Sequence, residues 1–207
     1  MLVIVGVVAG LFSVVPVLEE PGYFGRIAAH EGQILAGAGA QLVMIPAGVG
    51  FALCLYPALR AVSEALSLGF VGFRMIAAGF HFVGVISLPL FLVPGQEAAT
   101  IEMLRVGRDL VNHVAVIVSS GLGDVLLFFM LYRARLVPRW LSVWGLAGAG
   151  LVLVASLLVL FRQVEIVGPV YLGMNAPMAV QSLVLAGWLI VKGLKTRNPP
   201  SGVRRVP

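Results

Sequence analysis

Six long apolar runs decide what this chain can fold into: Met1–Leu18, Gln33–Tyr56, Leu66–Val93, Leu110–Tyr132, Trp140–Phe161 and Pro169–Val191. A hydrocarbon core about 30 Å thick takes roughly 20 apolar residues as helix, and each run comes close to or exceeds that length. Inside lipid the backbone finds no water, so a spanning segment must satisfy its N–H and C=O groups as a helix or in a closed barrel. Barrel strands alternate apolar and polar residues, which these runs do not. The predicted fold is therefore all-α, an integral membrane bundle of six transmembrane helices within residues 1–195. A basic, disordered cytoplasmic tail follows at 196–207. Only 11% of the residues are charged, against about a quarter in a soluble domain. That leaves little room for a separate soluble domain, and it makes the net charge of +5 a matter of topology rather than of nucleic-acid binding.

The first run lacks a basic leader and a small-residue cleavage site, so it reads as a membrane helix and not as a removable signal. Orientation follows from the basic residues, which collect on the cytoplasmic side. Placing the N-terminus inside puts nine of them in the cytoplasmic segments: Arg60, Arg133, Arg135, Arg139, Lys192, Lys195, Arg197, Arg204 and Arg205. Four remain outside, Arg26, Arg105, Arg108 and Arg162, and Arg74 lies within a helix. Both termini are thus predicted to be cytoplasmic, in the cell membrane. Tyr56, Tyr132, Trp140 and Trp188 near the inner helix ends fit that boundary, since amphipathic rings anchor there. Seven acids, Glu19, Glu20, Glu31, Glu97, Glu102, Asp109 and Glu165, fall in or beside the outer loops. Besides the bilayer itself, the expected partner is anionic lipid at the cytoplasmic face, drawn to the basic tail.

Small residues suit close helix packing, with Gly6 and Gly10 spaced as GxxxG and a run of Ala and Gly from Ala36 to Ala40. Pro46, Pro89 and Pro177 lie inside predicted helices, where each removes a backbone donor and is expected to kink its helix. One cysteine, Cys54, allows no intrachain disulfide and no paired-cysteine metal or redox site.

The costly residues are the polar ones at depth. Counted at about 1.5 Å per residue from the basic end, Arg74 and Asp124 both lie about 12 Å in and Gln181 about 15 Å in. A lone arginine at a helix centre costs about 2.5–3.5 kcal/mol on insertion scales, so an Arg74–Asp124 contact is expected to relieve both residues. The ordinary alternative is that Arg74 snorkels to the surface while Asp124 is protonated or faces a wet cavity. His81, seven residues after Arg74, shares its helix face near the midplane. Together Arg74, His81, Asp124 and Gln181 form the predicted buried polar cluster. Asp109, His113, Val116, Ser120 and Asp124 step by three or four along one helix face. Gln41, Asp109, His113 and Asn175 make a second, outer polar layer. Such residues mark proton or solute routes, or else they simply tie helices together at about 0.6 kcal/mol per hydrogen bond. The latter explains Gln41, Asn175 and Gln181 adequately. His81 and His113 differ by about 10 Å in depth, which is awkward for two axial ligands of one haem. No cofactor is predicted, and neither is a metal site, a phosphate loop or a nucleophile with a positioned base.

Three stretches, LYPALRAVSEALSLGFVGFRMIAAGFHFVGVISL, LYRARLVPRWLSVWGLAGA and PMAVQSLVLAGWLIVKGL, resemble the bacterial membrane proteins grouped as domain of unknown function 4386 (DUF4386). The resemblance extends over nearly the whole chain. It implies a small multipass membrane protein without an established activity. It also implies acids that this chain lacks, near Gln41, at Ala77 and near Ser182, so that Asp124 is expected to compensate for one of them. Arg74, Arg108, Asp109 and His113 are kept. Family members begin with a basic segment, so Met1 is expected to be a late start.

Two function classes follow. One is a non-catalytic membrane component or small-ligand binder, in which the polar cluster fixes packing or holds the ligand. The other is a small-solute or proton-linked transporter using Arg74, His81 and Asp124. The chain is short and shows no internal repeat of the kind many transporters have, which favours the first class unless the protein is a homo-oligomer. An enzyme has the least support. The discriminating observation is whether Arg74, His81 and Asp124 face one water-accessible cavity.

Overall fold

The structure, a computed structural model, describes residues 1–18, 22–166 and 168–195. The acids Glu19 and Glu20 and the basic tail 196–207 lie outside the described residues. Among the described residues five helices are long and apolar enough to cross a membrane, and one further apolar helix is short. The α-helices are α1 (Leu2–Phe12), which is the short one, α2 (Glu31–Arg60), α3 (Glu64–Leu90), α4 (Ala98–Leu110), α5 (Ile117–Ala134), α6 (Arg139–Leu160) and α7 (Pro169–Val191). A π-helical turn, Val111–Val116, joins α4 to α5, so that Ala98–Ala134 runs as one long helix. The described residues are all-helical, and the five long apolar helices with the short α1 fit the six that the hydropathy pattern implies.

Two predicted boundaries are corrected. The first run does not stay helical to Leu18. Helix α1 stops at Phe12, where Ser13 Oγ donates to the Gly10 carbonyl at 2.7 Å, and a 3₁₀ turn follows at Pro16–Leu18. Proline has no N–H to continue the ladder and disfavours helix in the residue before it. The fourth run begins a dozen residues earlier than predicted, because α4 is amphipathic. Glu102, Arg105, Arg108 and Asp109 lower its hydropathy without lowering its helicity. Elsewhere the prolines do not end helices: α2 continues through Pro46 and Pro57, α3 through Pro89 and α7 through Pro177.

Local chemistry sets several helix ends. Ser63 caps α3, its Oγ accepting from the Leu66 N–H at 3.4 Å. Pro169 sits at the first position of α7, where no intrahelical donor is needed. Arg135 takes φ 54° to close α5, and the next residue, Leu136, accepts a backbone hydrogen bond from Lys195 at 2.9 Å. That bond fastens the chain after α7 to the α5–α6 turn.

The six apolar helices pack in chain order around a centre: α1 on α2, α2 on α3, α3 on α5, α5 on α6, α6 on α7, and α7 back on α1. The ends of this ring are solid. At the basic end Leu59, Phe70, Leu127, Phe128, Met130, Leu131 and Leu141 form one core. A Cβ on Gly145 would lie 2.3 Å from the Phe128 ring, so glycine is what lets α5 and α6 approach there. At the other end Val15, Leu18, Ile34, Leu88, Phe91 and Ile101 form a second core beneath the α1–α2 connection. Apolar side chains such as Met75, Ile76, Val83 and Ile86 of α3 stay exposed, as a lipid-facing surface requires. Between the two cores the packing opens.

Candidate functional site: a polar chamber inside the helix ring

Two adjoining cavities occupy the middle of the ring, of about 430 and 400 Å³. Their walls are stripes at helical spacing, in which each helix turns one face inward. Helix α1 gives Leu2, Val3, Gly6, Val7 and Gly10 to the first cavity, α5 gives Ile117, Ser120, Gly121 and Asp124, and α7 gives Asn175, Met178, Ala179 and Ser182. Helix α3 gives Arg74, Ala77, Ala78 and His81 to the second, joined there by Gln41, Arg108, Asn112 and His113. Arg74, His81, Met44, Gly48, Ile117 and Ser120 border both cavities, so they stand where the two meet.

Arg74 donates from Nη2 to Asp124 Oδ1, and the two side chains form an ion pair across α3 and α5. The guanidinium also lies 5.9 Å from the Phe51 ring centre and 5.7 Å from that of Phe70, within cation–π range. Its Nε is buried without an acceptor. The Arg74 and Asp124 side chains remain 19% and 12% exposed, and both line the first cavity. The arginine therefore does not snorkel out. It is held in the bundle by a counter-charge and two aromatic rings, beside open space. An ion pair in low dielectric strongly resists loss of one partner, because the other is left buried and uncompensated.

His81 lines both cavities about two helical turns along from Arg74, on the same face. Gln181 does not join this group. It shares their depth but points away, fully buried, with Nε2 donating to the Leu141 carbonyl of α6 at 3.2 Å. Counting residues along a helix measures depth and not direction, and Ser182, the next residue, is the one that faces the chamber.

The outer layer also divides. His113 Nδ1 is hydrogen-bonded to the Tyr171 hydroxyl at 2.8 Å, with the two rings edge to face. Asn175 donates from Nδ2 to the Tyr171 carbonyl at 2.8 Å, a bond within its own helix. Gln41 faces Asn112 across Gly84. A Cβ there would lie 2.5 Å from Asn112 Oδ1 and 3.2 Å from Gln41 Oε1, and both oxygens are buried without a donor. Asp109 is buried against two arginines, 3.3 Å from Arg105 and 3.4 Å from Arg108. Arg105 also pairs with Glu102 at 2.7 Å, and Glu102 accepts from the Tyr23 hydroxyl. This network ties the connection after α1 to α4, over the end of the second cavity lined by Arg108. Burial and the hydrogen bond to Glu102 push the Tyr23 phenol above its ordinary value of 10.0.

Sequence reasoning missed Tyr171 and Asn112. Asn112 precedes His113 by one residue, which on an α-helix turns it well away from the polar stripe. Both lie in the π turn Val111–Val116 and line the same cavity. Such turns recur at functional sites. Among the described residues no group of three or more His, Cys, Asp or Glu side chains could hold a metal.

The ring of apolar helices defines a polytopic helical membrane protein with a partly polar chamber between its helices. The profile of the family called domain of unknown function (DUF4386) matches residues 1–193, and the chain belongs to that family. No curated protein and no solved structure matches it. Of the positions where the resemblance implied acids, Ala77 borders the second cavity and Ser182 the first.

Proposed function

We propose that this protein is a small-ligand-binding membrane protein of the cell membrane, with its ligand held in the chamber at Arg74, His81 and Asp124. The observation that carries the reading is that these three side chains, from two helices, line one cavity of about 430 Å³. That volume lies within the range of small-molecule sites, and its mixture of apolar walls with a few convergent polar groups is their usual composition. Polar groups that served packing alone would be closed over, as Gln181 is. The basic residues at one end of the bundle, Arg60, Arg133, Arg135 and Arg139 among them, favour that end as cytoplasmic.

The transport reading draws on a different observation. The second cavity continues from Arg74 and His81 toward the end bearing Arg108, past the π turn. A solute could use both cavities in turn.

The test is mass spectrometry of small molecules that co-purify with the full chain, compared with Gly48→Phe. Gly48 borders both cavities, and a Cβ there meets nothing within 4 Å. The substitution thus fills the chamber without striking its walls at the first carbon. A compound present in the wild type and lost from Gly48→Phe is expected. The same set of compounds in both proteins would contradict the reading.

A further inference from the structure

The two cavities differ in the chemistry of their walls, and the difference points to the shape and charge of what they hold. The first is enclosed mostly by aliphatic and aromatic side chains and glycine, including Leu2, Val7, Phe51, Leu127, Phe128 and Leu185. Every ionisable side chain that lines the second is basic: Arg74, His81, Arg108 and His113. The two carboxylates nearby are already committed, Asp124 to Arg74 and Asp109 to Arg105 and Arg108. Helix α5 contributes no charge to the second cavity, and α2 contributes only the amide of Gln41. At the junction Arg74 gives one guanidinium nitrogen, Nη2, to Asp124. A guanidinium carries five donors in a planar fork, so Arg74 keeps donor capacity beyond the bond to Asp124, and Arg108 stands on the same cavity.

We propose that the ligand is a long-chain fatty acid, with its carboxylate at the junction on Arg74 and His81 and its alkyl chain in the apolar first cavity. This rests on the chamber being a ligand site. A single chain suits a cavity of this size, and a monoanion suits a junction that opens onto a second cavity whose ionisable side chains are all basic. The head group of a cationic amphiphile would face Arg74 and Arg108 across the second cavity, with like charge set against it. A neutral one would bury the same chain but leave the spare donors unused.

The experiment uses the purified full chain in a neutral detergent, with binding of hexadecanoic acid, hexadecanol and hexadecylamine read by native mass spectrometry. The acid is expected to form a one-to-one complex about tenfold tighter than the alcohol or the amine, and Arg74→Gln is expected to reduce it about tenfold, to the level of the alcohol. Arg74→Lys keeps the charge without the fork and is expected to fall between, which separates loss of charge from loss of fold. Gly48→Phe is expected to abolish binding of all three. If alcohol or amine binds as well as the acid and Gly48→Phe still abolishes both, the carboxylate assignment is overturned while the chamber stands as a binding site. If no acid binds above the Gly48→Phe level, the fatty-acid proposal is overturned. Should the co-purification experiment also show no compound specific to the wild type, the chamber reading falls with it.

Discussion

Arg74 and Asp124 offer the sharpest test of how the bundle tolerates charge. In Asp124→Leu the guanidinium stays beside Phe51 and Phe70 with no counter-charge, and in Arg74→Leu the carboxylate is stranded instead. Breaking a buried pair in this way costs about 3–5 kcal/mol, whereas replacing both partners with apolar residues is often close to neutral. Each single variant should therefore lose about 3–5 kcal/mol. At about 2–4 °C per kcal/mol for a chain of this size, that is a fall in Tm of roughly 6–20 °C. The double variant removes both charges and should recover most of the loss, for a coupling of at least about 2 kcal/mol. Thermal unfolding of the four proteins in one detergent, followed by tryptophan fluorescence, measures the cycle. A double variant as unstable as the sum of the singles would refute the argument that each charge is tolerated because of the other.

Other expectations follow from particular contacts. Gly145→Leu should destabilise by about 1–3 kcal/mol through collision with the Phe128 ring, whereas Gly150→Ala, with open space around it, should be neutral or gain up to about 1 kcal/mol; unfolding midpoints compare the two. The Tyr23 phenol should titrate above 10.0 by ultraviolet difference spectroscopy and return toward that value in Glu102→Gln. Its folded value is raised above the unfolded one, so its contribution to stability is present at neutral pH and is lost only as pH rises through the folded value. A reporter fused after residue 195 should read as cytoplasmic, and an external signal would reverse the orientation.

Fold class was legible because lipid permits so few solutions. A chain with these apolar runs has to be a helical bundle, and depth along a helix is simple arithmetic. That arithmetic placed Arg74 level with Asp124, and the ion pair is there. It failed for Gln181, since equal depth carries no information about which way a side chain faces, and Gln181 turns to α6. Helix α4 was missed because hydropathy sees apolar content rather than helicity. Asn112 escaped because a strict α-helical stripe excludes it, although it shares a cavity with His113. The cavity itself could not be read from the sequence, since it depends on the ring closing between α7 and a short α1.

The central claim is that Arg74, His81 and Asp124 border open space within the membrane. Cysteine accessibility tests it most directly. Cys54, the only cysteine, is first replaced by serine, and Ser120→Cys, at the junction of the two cavities, is compared with Gln181→Cys, which is fully buried on the same bundle. Ser120→Cys should react with a small water-soluble thiol reagent in native membranes and lose that reactivity when Gly48→Phe is added, while Gln181→Cys stays inert. A Ser120→Cys as inert as Gln181→Cys would mean that the interior is closed and the polar residues only hold the helices together.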